Sequence, residues 1–301
     1  MNDARLNLVV ALTVMVLAAW GLAGSAQEAS SLQASVFDRT TQPGEVARLD
    51  LTCACDAVRA TATVFVSDVP LFRGPDATVW HGLIGIDVET APGMYPIRVV
   101  VDRMGQPPLT TTRELHVVAK QFPTRRLRVA SHFVNPPASA MKRIQGEAQR
   151  LQTLFATVTP RLWPGSVQAP LAVPATGNFG TRSVFNGQPR SPHAGVDFRS
   201  RAGPPVAAPG AGSVAVAEPL FFTGNTVVID HGLGVYSLLA HLSRFAVEAG
   251  DSVQRGQIVG FVGATGRVTG PHLHWAVRVN GARVDPLSLI AVTEEWKERS
   301  E

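Results

Sequence analysis

The sequence lacks several features that would assign it to other classes of protein. It has only two cysteines in 301 residues and contains no internal repeat or low-complexity tract. Hydrophobic residues make up 45% and charged residues 17% of the chain. This is the composition of a globular protein with room for two modest domains, so disordered and multi-span membrane proteins are excluded.

The chain also lacks a run of basic residues interleaved with aromatic ones, the pattern typical of a nucleic-acid groove. Its lysines and arginines are scattered, and the formal net charge is +4. This mild excess favours anionic surfaces in general without selecting one of them. We therefore expect no nucleic-acid partner.

The N-terminus predicts a secretory signal over residues 1–26. Arg5 precedes an apolar run at 6–23, and Gly24, Ser25 and Ala26 provide a small-residue cleavage site. Left uncleaved, the run would be a transmembrane anchor of marginal length, so membrane contact is expected only through this segment. No cysteine follows where a lipoprotein signal needs one, which excludes lipid anchoring. We expect an exported protein in the periplasm or cell envelope, or secreted.

Cys53 and Cys55 are separated by one residue. In an extended strand their Cα atoms would lie roughly 6.6 Å apart, near the upper limit for a disulfide. One interpretation is two strand residues on the same face. The other is a disulfide formed where the strand bulges or turns. A zinc site here is disfavoured because no further cysteine or nearby histidine would complete it.

Residues 27–120 predict a β-sandwich of immunoglobulin-like type. Apolar and polar residues alternate in short runs at 46–55, 60–67, 82–88, 95–102 and 110–118, separated by Pro- and Gly-containing turns. His116 lies in one of these runs and His81 directly precedes another, and neither has a carboxylate or a second histidine at ligand spacing. We interpret both as structural.

Residues 121–165 predict a linker with one helix at 140–157, where apolar residues recur at helical spacing. A Gly-rich β pattern follows and predicts a second domain at 166–292, with strands at 206–208, 212–218, 226–231, 235–241, 257–263 and 272–279. Residues 293–301 form a charged tail, expected to be a short helix or a frayed end. The predicted fold class is therefore mainly β.

Five of the eight histidines fall between positions 193 and 274, in two compact patterns. His193 and Asp197 form H-x-x-x-D, and His272 and His274 form H-x-H. Strand residues two or four apart point to the same face, so each pair can address one cavity. Two imidazoles and one carboxylate make a three-ligand zinc site, whose fourth position stays open for water.

A zinc site that hydrolyses a carbonyl substrate needs two groups besides the metal ligands. One orients or deprotonates the zinc-bound water, and the other stabilises charge on the attacked carbonyl oxygen. His241 and His272 are the candidates, because each lies next to a metal-binding element and neither is needed for a three-ligand set. Either histidine pattern alone is weak, but their joint occurrence is much stronger.

Residues 177–289 resemble the lysostaphin-like (LytM-type) peptidoglycan metalloendopeptidase family. The stretches that carry the resemblance are 179–182, 193–198, 206–212, 228–232, 240–243, 247–257 and 263–275. The resemblance implies a mostly antiparallel β fold with a groove over the metal. It implies zinc ligands at His193, Asp197 and His274, and catalytic histidines at His241 and His272.

The function implied is an exported zinc metalloendopeptidase that binds the peptide stems of peptidoglycan and hydrolyses their cross-links through a zinc-activated water. Ala276 and Leu239 depart from the family's commonest residues, acidic and aromatic respectively, at positions that affect groove shape. The alternative is a non-enzymatic regulator that binds the wall and activates amidases. All five candidate residues are present, which favours the enzyme.

Three further residues of the predicted second domain have no assigned catalytic role. His231 is expected to cap a turn in its D-H-G hairpin. Asn178 and Arg182 either line the groove or hold the loop before the first ligand in place.

The sandwich offers no convergent catalytic groups, so we expect a targeting or regulatory role for it.

Overall fold

The computed structural model describes residues 32–128 and 135–298, without the side chains of Leu127 and residues 295–298. The predicted signal segment lies outside these residues. Within the described residues, no helix combines the length and the apolar character needed to cross a bilayer.

The N-terminal half is built from eight strands, all paired antiparallel: β1 (Leu32–Asp38), β2 (Val46–Cys53), β3 (Ala57–Val64), β4 (Ser67–Val69), β5 (Leu71–Arg73), β6 (Val79–Gly85), β7 (Gly93–Arg103) and β8 (Gln106–Val117). They form two four-stranded sheets, β1-β2-β6-β5 and β4-β3-β7-β8. Ile97, Val99 and Val101 alternate inward along β7 and are buried against Leu49 and Leu51 of the other sheet.

A two-layer sandwich is therefore present, and its immunoglobulin-like type stays a prediction. Cys53 and Cys55 are joined by a disulfide with a Cα–Cα distance of 5.2 Å. Strand β2 ends at Cys53 and the backbone bends at Cys55. The strand predicted through residue 55 is thus shorter, and the bend permits the bond.

The predicted linker contains β9 (Thr124–Leu127) and α1 (Ala138–Phe155), and the C-terminal half begins with β10 (Arg182–Phe185) and β11 (Gln188–Pro189). β9 pairs in parallel with β10, which lies beyond the helix in the chain. The predicted linker therefore contributes a strand to the C-terminal half. Helix α1 begins and ends two residues earlier than predicted.

The C-terminal half contains β12 (Gly195–Arg199), β13 (Pro205–Ala207), β14 (Gly212–Leu220), β15 (Gly224–Gly232), β16 (Val235–Phe245), β17 (Ser252–Val253), β18 (Ile258–Val262), β19 (His272–Val279), β20 (Ala282–Val284) and the helix α2 (Pro286–Glu298). The strands form one antiparallel sheet of order β12-β19-β16-β15-β14-β17, with β18 joined to β13 and β16 and β20 joined to β19. The mainly β class predicted from the sequence is confirmed. The boundary predicted between residues 292 and 293 lies inside α2.

The two faces of the central sheet have different environments. Leu273, Trp275 and Val277 of β19 point into the main core. The alternate residues of β19, from His272 to Arg278, point to the other face, which carries the candidate metal site. Helix α1 covers part of that second face, where Leu151, Leu154 and Phe155 pack against residues of the sheet.

The two halves of the molecule share a core. Val46 and Leu83 of the sandwich belong to the same buried cluster as Val279 and Leu289. The Val46 amide donates to Ser288 Oγ at 2.8 Å, 242 positions along the chain. The sandwich is therefore packed against the C-terminal sheet and α2.

Candidate metal centre

The sheet brings the three predicted ligands together. Asp197 on β12 lies directly opposite His274 on β19, and His193 precedes β12 by two residues. Asp197 Oδ1 lies 2.9 Å from His274 Nδ1 and 3.2 Å from His193 Nε2. One atom from each residue lies within 4.8 Å of the other two.

These atoms fit a zinc ion chemically. Zinc accepts imidazole nitrogen and carboxylate oxygen at about 2.0–2.2 Å, so ligand atoms of a tetrahedral site lie roughly 3.3 Å apart. The two distances that reach Asp197 Oδ1 are close to this spacing. Three protein ligands leave one position for water or substrate, as in catalytic sites.

Gly195, between the predicted ligands His193 and Asp197, allows strand β12 to lie close to strand β19. A Cβ atom at Gly195 would lie 2.3 Å from the Trp275 carbonyl oxygen and 2.9 Å from His274 Cε1. Any larger residue would therefore push β12 away from β19 and displace the ligands.

The protonation states also suit a metal. Burial alone would raise the pKa of Asp197, but hydrogen bonds from His193 and His274 hold the pKa of that carboxyl well below its ordinary value. Burial lowers the pKa of His274. At neutral pH the site therefore offers a carboxylate and a neutral imidazole, the forms that bind metal.

His241 and His272 lie beside the ligands, with ring centroids 4.8 Å apart. His241 Nδ1 is 2.9 Å from the Thr265 carbonyl oxygen, and His272 Nδ1 is 2.9 Å from that of Gly270. A carbonyl oxygen only accepts, so each Nδ1 donates the proton and each neutral ring keeps its lone pair on Nε2. Burial, with His274 and His272 nearby, lowers the pKa of His241 to about 4.

The backbone at His241 is held in an unusual conformation. Its φ is +65°, in the left-handed region that favours glycine. The His241 amide donates to the Thr223 carbonyl at 2.9 Å, outside its own strand pairing. The surrounding contacts thus fix a strained residue at the site, a common feature of functional positions.

His231 does not cap a turn as predicted. Its side chain is buried, with Nδ1 2.8 Å from the Ala211 carbonyl oxygen and Nε2 2.9 Å from Ser237 Oγ. Asp230 caps the turn instead, since its Oδ1 accepts from the Gly232 amide. His231 therefore ties three segments of the core together, away from the metal centre.

Asn178 has a role that the sequence left open. Its Nδ2 donates to Asp197 Oδ2 at 2.7 Å, and its Oδ1 accepts from the Asp197 amide at 3.2 Å. Arg182 has an exposed side chain, and its amide donates to the Pro123 carbonyl. Asn178 thus contacts a predicted ligand directly, which only the folded loop reveals.

Comparison with known proteins agrees with this geometry. The model of Peptidase family M23 matches residues 191–286. The chain is 44% identical over 103 residues to the DD-carboxypeptidase/endopeptidase Mpg of Neisseria meningitidis, covering 34% of this chain and 24% of that protein. It is 43% identical over 97 residues to the peptidoglycan DD-endopeptidase ShyA of Vibrio cholerae, covering 32% and 23%. The chain thus spans about a quarter of the length of these curated relatives.

One solved structure resembles most of the molecule. A crystal structure described as a peptidase M23 from Pseudomonas aeruginosa has a TM-score of 0.66 and 31% sequence identity. The similarity covers 84% of this chain and 96% of that one, so it includes residues from both halves. The family model thus includes the three residues that converge, and the solved M23 structure matches the fold over both halves. The chain therefore belongs to peptidase family M23.

Proposed function

We propose that the protein is an endopeptidase that hydrolyses peptide cross-links of peptidoglycan. The observation that carries the proposal is the convergence of His193, Asp197 and His274 on one point, with His241 and His272 beside them. The relatives named DD-endopeptidases support the D,D cross-link as the bond cleaved.

His193 Nε2, Asp197 Oδ1 and His274 Nδ1 are the atoms that would hold zinc. When bound, zinc supplies a Lewis acid that activates water and polarises a peptide carbonyl. His193, Asp197 and His274 are all partly exposed, which lets a peptide reach the site.

The two remaining histidines have the chemistry for proton transfer. His241 is neutral at ordinary pH because burial lowers its pKa to about 4, so Nε2 can accept a proton from the attacking water. His272 Nε2 lies 4.0 Å from Asp197 Oδ1. It is therefore close enough to the proposed zinc site to act on a substrate bound there. Together they provide the proton handling and the charge stabilisation that amide hydrolysis needs.

The test uses purified peptidoglycan and the mature chain. Mass spectrometry of the released fragments should show new termini at the D,D cross-link. Chelation should abolish release and added zinc should restore it, since the ligands remain in place. A folded, zinc-loaded protein that releases nothing but stimulates a wall amidase would replace the proposal with the regulator alternative.

We also propose that the chain is exported to the cell envelope. The apolar run at 6–23 with small residues after it supports this, as does a wall substrate. N-terminal sequencing of the protein from an envelope fraction should begin at Gln27. Protein retained in the cytoplasm with Met1 intact would contradict export.

A further inference from the structure

A cavity of about 790 Å³ lies where the sandwich, helix α1 and the C-terminal sheet meet. We call it the junction cavity. Its walls include Asp68 from the sandwich, Leu151 and Phe155 from α1, and Arg278 and Arg283 from the sheet. Its volume is in the range of small-molecule sites.

Arg278 is the unusual member of this lining. Its Nη1 is buried and has no hydrogen-bond partner among the described residues. No carboxylate in the described part of the chain forms an ion pair with it. Its guanidinium carbon lies 5.3 Å from the centre of the Phe155 ring. Arginines removed from water are normally paired, so an unpaired one calls for an explanation.

The nearby acidic side chains Asp87 and Glu89 form ion pairs with Arg283 and not with Arg278. Arg283 Nη2 lies 2.7 Å from Asp87 and 2.6 Å from Glu89, so these two carboxylates are already engaged. Burial and repulsion from Arg283 lower the pKa of Arg278 to about 10, and the attraction of Asp87 only partly opposes them. The guanidinium is still charged at neutral pH, and no carboxylate of the described residues forms an ion pair with it.

We propose that the junction cavity binds an organic monoanion, in which a carboxylate contacts Arg278 and an apolar body lies against Leu151 and Phe155. A carboxylate matches the planar fork of a guanidinium with two parallel hydrogen bonds. One unpaired cation and an additional acidic side chain, Asp68, favour a single negative charge over a more highly charged phosphate.

The cavity lies on the same face of the sheet as the metal centre. Arg278 follows His274 by four residues on β19, a separation of roughly 13 Å along a strand. Between them, Ala276 packs against α1. The cavity is therefore a separate site, and its ligand does not depend on the proposed peptidase function.

The test measures binding of hexanoate to the full mature chain by calorimetry in phosphate-free buffer. Hexanamide, which has the same apolar body without the charge, should bind at least about tenfold more weakly, because it loses the charge-assisted bonds. Binding of acetyl-Ala-Ala with a free C-terminus is then compared with binding of the same peptide as its C-terminal amide. This comparison tests whether the carboxylate of the natural ligand is a peptide C-terminus. Tighter binding of hexanoate or of the free peptide identifies the source, and either supports the site.

Two variants locate the binding. Arg278→Gln should weaken hexanoate binding at least about tenfold. The exposed change Gln152→Glu adds a carboxylate to the cavity wall, and its repulsion of the hexanoate carboxylate should weaken binding at low salt. Arg59→Gln, an exposed change in β3 of the sandwich, is the control and should leave it unchanged. If hexanamide binds as well as hexanoate, if no saturable binding occurs, or if folded Arg278→Gln binds normally, the proposal is wrong.

Discussion

At the scale of single residues, the two carboxylate oxygens of Asp197 have different partners. Oδ1 faces His193 and His274, while Oδ2 accepts a hydrogen bond from Asn178. Asn178 therefore occupies one oxygen and leaves the other for the metal. In the proposed zinc site, Asn178 would position a ligand without contacting the metal.

Replacing Asn178 with Ala should weaken zinc binding by about 10–100-fold, because partners that orient metal ligands typically contribute that much. Competition with a chromophoric chelator measures the affinity directly. Gln188→Ala, an exposed change in β11, serves as the control. Unchanged zinc affinity in a folded Asn178→Ala protein would remove this role.

The five site residues should divide into ligands and catalytic groups. His274→Ala removes one of three protein ligands, so zinc content and activity should both collapse. His241→Ala and His272→Ala should keep most of the zinc, while turnover falls by roughly 10²-fold or more through lost proton transfer or charge stabilisation. Zinc content by elemental analysis, beside activity, separates the classes. If folded His241→Ala loses zinc as completely as His274→Ala, then His241 is a ligand.

At the scale of elements, the loop before β10 connects the linker strand to the metal centre. The Gly180 amide donates to the His193 carbonyl at 2.8 Å. Gly180 has φ +74°, and a Cβ there would lie 2.1 Å from the Phe122 ring, just before β9. The packing of Phe122 on Gly180 thus sets the position of the segment that carries His193.

Gly180→Ala should destabilise the protein and weaken zinc binding, while Gly187→Ala should only destabilise it. Both glycines have positive φ, which costs about 1–2 kcal/mol for alanine, but a Cβ at Gly187 meets nothing within 4 Å. Thermal unfolding and chelator competition on both variants make the comparison. Equal zinc affinities in the two would show that Phe122 does not influence the site.

At the scale of the whole molecule, the sandwich is joined to the C-terminal half by more than a linker. Asn280 Nδ2 donates to the Leu83 carbonyl at 2.9 Å, and Arg283 pairs with Asp87 across the same interface. These contacts surround the shared apolar core. A regulatory or targeting role for the sandwich stays a prediction, and these contacts predict that it also stabilises the C-terminal half.

A chain beginning at Ser166 should still hydrolyse a soluble wall peptide at low temperature, because all five site residues follow that point. Its unfolding temperature should be well below that of the full chain. The shortened chain loses the sandwich, the pairing of β9 with β10, and the packing of α1 on the sheet. A chain beginning at Gln121 keeps β9 and α1 and should melt between the two. Circular dichroism and turnover of all three provide the test. A folded Ser166 chain without turnover, or one as stable as the full chain, would contradict this expectation.

The sequence by itself determined the mainly β class and predicted the residues that converge at the candidate site. Alternating apolar residues and turn residues act locally, so they mark most strands without knowledge of their partners. The even spacing of His272 and His274 places both side chains on one side of β19, and this parity holds whatever strands lie beside it. His193 lies two residues before β12, so its convergence with Asp197 and His274 depends on the loop as well as on the spacing.

Only the tertiary structure decided the contacts between distant segments. The pairing of β9 with β10, the bond from Val46 to Ser288 and the contact of Asn178 with Asp197 leave no periodic signal in the chain. The cavity around Arg278 likewise forms from three separate regions. Such contacts depend on how completed elements pack, because burial and hydrogen bonding between them are set by shape and not by local spacing.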